Sequence, residues 1–104
     1  MLSAAGETVN LTELTRIDSP DGSPASVINA GTLTGSGITI ASSSRLTNEA
    51  TGSIANALTS SGELVNEGTI TGPLTANAGS VVTNRGSLSG GILRVNTGGT
   101  LTNE

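Results

Sequence analysis

The stretch LVNEGTITG, Leu64 to Gly72, decides the fold because versions of it recur along the chain. VINAGTLTG starts at Val27, LTNEATGSI at Leu46, VTNRGSLSG at Val82 and LTNE at Leu101. The starts at positions 27, 46, 64, 82 and 101 are 18 or 19 apart each time. Self-similarity at such a period marks a repeat architecture, in which each unit stacks on its neighbours to bury a continuous core. Asparagine is the sharpest marker. Asn29, Asn48, Asn66, Asn84 and Asn103 hold one place in successive units, and Asn10 extends the series backwards by one more such interval.

Each unit offers three short segments of alternating character, such as LVN, TIT and LTA in the third full unit. Alternation over so few residues predicts a strand with one buried face. Gly, Ser and Asn between the segments supply bends. Frequent Gly and β-branched residues, with no stripe at helical spacing, argue against helix. Three strands and three bends fill 18–19 positions, which gives an all-β solenoid of about five coils. Equivalent strands then pair in parallel at ~4.8 Å.

Val27, Leu46, Leu64, Val82 and Leu101 are expected to stack as one inward ladder. Leu14, Leu33, Ile54, Ile70 and Leu88 form a second, with a two-residue insertion before Ile54. Ile38, Leu58, Leu74 and Ile92 form a third, and Ile40, Leu58, Ala76 and Val95 a fourth. The asparagines share the inward face, where stacked amides can bond from coil to coil. Such bonding satisfies polar groups that are costly to bury alone.

The β-helix is expected over residues 8–104, after an N-terminal arm or linker at 1–7. The run DSPDGSPAS, residues 18–26, breaks the pattern with Pro20 and Pro24. Proline cannot donate to a strand ladder, so this is read as a loop excursion. LTNE begins another unit, so the natural protein is expected to continue past Glu104 or the chain to stack end to end.

Composition narrows the chemistry. Gly, Ser, Thr and Asn supply 54 of 104 residues, and Leu, Ile and Val only 24, so any core is thin. The chain has no aromatic residue, His, Cys or Lys. A nucleophilic triad therefore has no base, and an enzyme is not expected. Glu49, Glu67, Arg85 and Glu104 follow the asparagines and read as an outward surface column rather than paired catalytic carboxylates. Asp18 and Asp21-Gly22 suggest half of an acidic calcium loop, but the full motif is absent. No metal or other cofactor is expected. Four scattered Arg on a chain of net charge −4, with nothing to stack on bases, argue against nucleic acid. No run of 18 apolar residues is present, so no transmembrane helix is expected.

Thr32 and Thr34, Thr69 and Thr71, and Ser87 and Ser89 flank inward Leu33, Ile70 and Leu88. They are the candidate outward contact face. A T-x-T array on a regular solenoid resembles the ice-binding face of some antifreeze proteins, although Ser53 and Ala55 interrupt it here. Threonine is also simply a good exposed strand residue.

LTNEATGSIAN, LVNEGTITGP and VTNRGSLSGG resemble the repeats of bacterial autotransporter passenger domains and filamentous-haemagglutinin-like adhesins. The resemblance covers residues 27–104, with a weaker trace from Asn10. It implies a right-handed parallel β-helix with three strands per coil, secretion across the outer membrane and an extracellular, cell-surface location. The reading is a structural or adhesive β-helix segment, as a stalk or passenger fragment. Its partners would be sister molecules, side by side or end to end, or a host-surface protein or glycan. The alternatives are a self-assembling filament subunit and an ice- or carbohydrate-binding solenoid.

Overall fold

The computed structural model describes residues 6–11, 15–17, 25–90 and 93–104. Within them lie fifteen short strands and no helix. They form three five-stranded parallel sheets, each taking one strand from each coil. The protein is a three-sided β-solenoid of about four turns. Sheet I holds β3 (Ser26–Asn29), β6 (Arg45–Asn48), β9 (Glu63–Asn66), β12 (Val81–Asn84) and β15 (Thr100–Asn103). Sheet II holds β1 (Thr8–Leu11), β4 (Thr32–Gly35), β7 (Ser53–Ile54), β10 (Thr69–Ile70) and β13 (Ser87–Leu88). Sheet III holds β2 (Thr15–Ile17), β5 (Ile38–Ile40), β8 (Leu58–Ser60), β11 (Leu74–Ala76) and β14 (Leu93–Val95). Residues 1–5 of the expected arm and 18–24 of the expected excursion lie outside the described residues. Ser26, the last residue of that excursion, already opens β3.

Register follows from which side chain points inward. In sheet I, Val27, Leu46, Leu64, Val82 and Leu101 stand one above another, as do Asn29, Asn48, Asn66, Asn84 and Asn103. In sheet II the inward column is Val9, Leu33, Ile54, Ile70 and Leu88. Val9 therefore takes the place expected of Leu14. Asn10 pairs with Thr34 of β4 rather than with Asn29, so it does not belong to the asparagine ladder. The reason is parity: Val9 fills the core, and the next side chain along a strand must face the other way.

Sheet III carries two inward columns. Ile38, Leu58 and Leu74 form one, and β14 pairs with β11 so that Leu93, rather than Ile92, takes the register position opposite Leu74. Ile17, Ile40, Ser60, Ala76 and Val95 form the other, so Ser60 rather than Leu58 fills it. Ser60 is fully buried in an otherwise aliphatic column, and its Oγ donates to the Gly62 carbonyl at 3.2 Å. Closing that bond within one coil makes a hydroxyl tolerable in the core.

Equal coil lengths conceal unequal corners. From Asn48 to Ile54 the chain is two residues longer than between their stacked partners Asn66 and Ile70. From Ser60 to Leu64 it is two residues shorter than between Ala76 and Val82. One coil thus gains two residues at its I–II corner and loses two at its III–I corner. Close coil packing also restricts side chains at the corners. A Cβ on Gly68 would meet the carbonyl oxygens of Gly52 and Glu49 in the coil before.

Candidate functional site

The I–II corner is held by amides. Nδ2 of Asn29 donates to Oδ1 of Asn48 at 2.8 Å, Asn48 to Asn66, Asn66 to Asn84 and Asn84 to Asn103, each at 2.8 Å. The same nitrogens donate to corner carbonyls: Gly31 at 3.0 Å, Gly52 at 3.3 Å, Gly68 at 3.2 Å and Gly86 at 3.3 Å. Asn29, Asn48, Asn56 and Asn66 are fully buried and Asn84 nearly so. Every rung donates towards the C-terminal coil, so the spine has a direction. Asn29 Oδ1, at its N-terminal end, is buried without a partner among the described residues. Asn56 stands apart at the II–III corner, where its Nδ2 donates to the Ser36 carbonyl at 2.6 Å and its buried Oδ1 has no partner among the described residues.

The three outer faces differ in charge. Sheet I carries Arg45 beside Glu63 at 3.2 Å. On the column after the asparagines, Arg85 bridges Glu104 at 3.2 Å and Glu67 at 3.8 Å. Sheet II presents hydroxyls. Thr32, Thr69 and Ser87 stand in one outward column, which the structure extends with Thr8 and Ser53. Thr34, Thr71 and Ser89 lie beside it, each directly after an inward residue, with Asn10 opposite Thr34 and Ala55 in the gap. None of these outward residues is charged. Sheet III has a further threonine column, Thr39, Thr59 and Thr75, which the repeat alignment misses. Its signal lies in the Ile-Thr-Ile, Leu-Thr-Ser and Leu-Thr-Ala triplets.

The unequal coil produces a knob and a notch. At its I–II corner Glu49 to Gly52 form a tight turn closed by the Gly52 N–H on the Glu49 carbonyl at 2.7 Å. Ala50 and Thr51 project to solvent, and Thr51 Oγ1 is pinned to the Ala30 carbonyl at 2.7 Å. At the III–I corner the neighbouring coils make protruding β-turns, 41–44 and 77–80, each closed at 3.0 Å. The short coil has no such turn. Ser61 and Gly62 form the floor of a notch of about 640 Å³ between the Ser42–Ser43 and Ala78–Gly79 walls. Gly62 abuts the Ala41 and Ser44 carbonyls, so the floor has no room for a side chain. Ser43 holds φ 67° where the equivalent turns use Gly79 (82°) and Gly98 (89°).

Among the described residues the buried polar side chains are asparagine amides and the hydroxyls of Ser44, Ser60 and Ser80. Among the described residues no group of three or more acidic, His or Cys side chains is placed to hold a metal. Asp18 and Asp21 lie outside the described residues. Among the described residues no helix is long and apolar enough to cross a membrane.

A parallel solenoid with an internal amide spine defines the class: a repeat domain whose polar chemistry is directed along its own axis. The chain belongs to the family described as BigA fourth domain, whose model matches residues 2–104. This family points to an adhesin-type bacterial surface protein. No curated protein and no solved structure matches the chain.

Proposed function

We propose that this domain is a non-enzymatic spacer in the secreted, extracellular part of an adhesin-type protein. Its repeat pattern is like that of autotransporter passengers and filamentous-haemagglutinin-like adhesins. The observation that carries this reading is the amide spine. Four successive 2.8 Å bonds run coil to coil. Side chains devoted to holding one coil to the next give a stiff rod, because local opening must break several buried bonds together. No cofactor enters this role.

The test compares the complete surface protein in three forms: intact, with this domain removed, and with it replaced by an unrelated solenoid of equal length. Adhesion of cells bearing each form is counted. A spacer predicts that replacement keeps adhesion while removal lowers it. Loss on replacement would instead give the role to the domain's own faces. The uncharged hydroxyl columns of sheet II favour that second reading, with a host glycan or protein as partner. Thr69→Tyr would then lower adhesion by disrupting the flat column.

A further inference from the structure

We infer that Ala50 and Thr51 of one copy seat in the notch of a second copy, giving a row of parallel solenoids side by side. The inference rests on corner geometry and stands apart from the spacer reading.

Knob and notch belong to the same coil. Its two extra residues project at the I–II corner, and its two missing residues leave the gap at the III–I corner. Strands of sheet I run from the III–I corner to the I–II corner. The knob follows β6 and the notch precedes β9, its neighbour in the sheet. A shift along those strands with a step of one coil, ~4.8 Å along the axis, and no rotation therefore carries the knob of one copy to the notch of the next. The fit holds in two dimensions. The gap is one missing turn thick, ~4.8 Å by the coil spacing, and the knob is one turn of one coil. The gap is two residues short and the knob two residues long.

The chemistry agrees with the shape. The knob tip is an alanine and a threonine whose hydroxyl is already bonded within its own chain. The notch is walled by Ser42, Ser43, Ala78 and Gly79, and its flanking charges, Arg45 and Glu63, are paired with each other. The ion pair flanking the notch need not be broken on docking, which avoids stranding either of its charges. The knob is closed by its own backbone bond, so little conformational entropy is lost on docking. A contact related by pure translation is head-to-tail and does not close, so it propagates as an open row. All copies in such a row point the same way, as neighbours on one cell do.

The chain contains no cysteine, which allows a direct test. Single variants Ala50→Cys and Ala78→Cys are mixed and mildly oxidised. The expected result is a mixed disulfide dimer in several-fold excess over either homodimer. It should also exceed the dimer of Ala78→Cys with Ala55→Cys, an exposed position on sheet II. Equal yields would overturn the inference. Sedimentation of the unmodified chain should show association that rises with concentration. Association should be lost on deleting Ala50 and Thr51, and lost again on inserting two residues after Ser61 to fill the notch. A monomer at every concentration, or variants that associate like the parent, would also overturn it. If the deletion does not fold, the cross-linking variants still decide, since both alter only exposed side chains. An absent mixed dimer together with protection of the thiol at position 78 by an oligosaccharide would assign the notch to a glycan instead.

Discussion

The I–II and III–I corners perform the same geometric task and are built from opposite materials. At the I–II corner an asparagine occupies every coil from Asn29 to Asn103, and the buried amides bond both to the next coil and to their own corner. At the III–I corner the equivalent residues are Ala41, Ser61, Asn77 and Asn96, and the turn that follows is kept or omitted. Only a short series of side-chain bonds links them among the described residues, Asn96 to Asn77 at 3.1 Å and Asn77 to Ser61 at 3.2 Å. The locked corner responds to a length change by keeping Asn48 inward and pushing Ala50 and Thr51 out. The unlocked corner responds by losing its turn. Corner variation in this solenoid is thus steered by where the buried amides sit.

The contrast can be broken most severely at the locked corner. Asn66→Ala removes the donor to Asn84 Oδ1 and the bonds to the Gly68 and Ser87 carbonyls. A buried group left unpaired costs about 1–3 kcal/mol, and more than one is stranded here. Urea titration should show a loss of about 2–4 kcal/mol on that basis. Asn77→Ala, at the more open counterpart, should lose less than about 1 kcal/mol by the net worth of an ordinary hydrogen bond. Similar losses at the two sites would refute the distinction.

A smaller effect sharpens the contrast from the unlocked side. Ser43 adopts the left-handed backbone that Gly79 and Gly98 adopt in the equivalent turns. That conformation costs a residue bearing a Cβ about 1–2 kcal/mol. Part of any gain on introducing glycine is offset by its unfolded-state entropy. Ser43→Gly should therefore raise stability by about 0.5–1 kcal/mol. Gly79→Ser should lower it by a similar amount, since no atom lies within 4 Å of a Cβ built there and only the backbone is at stake. Thermal melts of the two variants should shift in opposite directions.

The smallest effect belongs to the outer face of sheet I. Arg85 is half exposed between Glu67 and Glu104. Arg85→Gln should cost at most about 1 kcal/mol, in line with surface ion pairs generally. The difference from the parent should shrink in high salt as screening removes the attraction. A salt-independent loss would mean that the arginine stem, rather than its charge, contributes.

Much of this arrangement is legible in the sequence because side-chain parity is strict. The Val27-to-Leu101 and Asn29-to-Asn103 columns follow from spacing alone, and the two-residue insertion before Ile54 with them. The departures share a cause. Asn10 precedes Asn29 by one ordinary interval and so matches the period, yet the first coil, from Val9 to Leu33, is longer than that interval. Ser60 breaks the hydropathy pattern of its column, so spacing assigns Leu58 to two columns at once. The notch is invisible because two extra residues and two missing ones leave a coil of ordinary length. Spacing between repeats reports the length of a coil and says nothing about how that length is shared among its corners.

The uniform amide spine has a consequence for how such a domain can vary over generations. Each interior asparagine meets an identical neighbour above and below, so a whole coil can be added or lost without creating a new kind of buried contact. A gain of part of a coil would misalign every amide beyond it. Length is therefore adjustable in whole steps of one coil, each worth ~4.8 Å of reach.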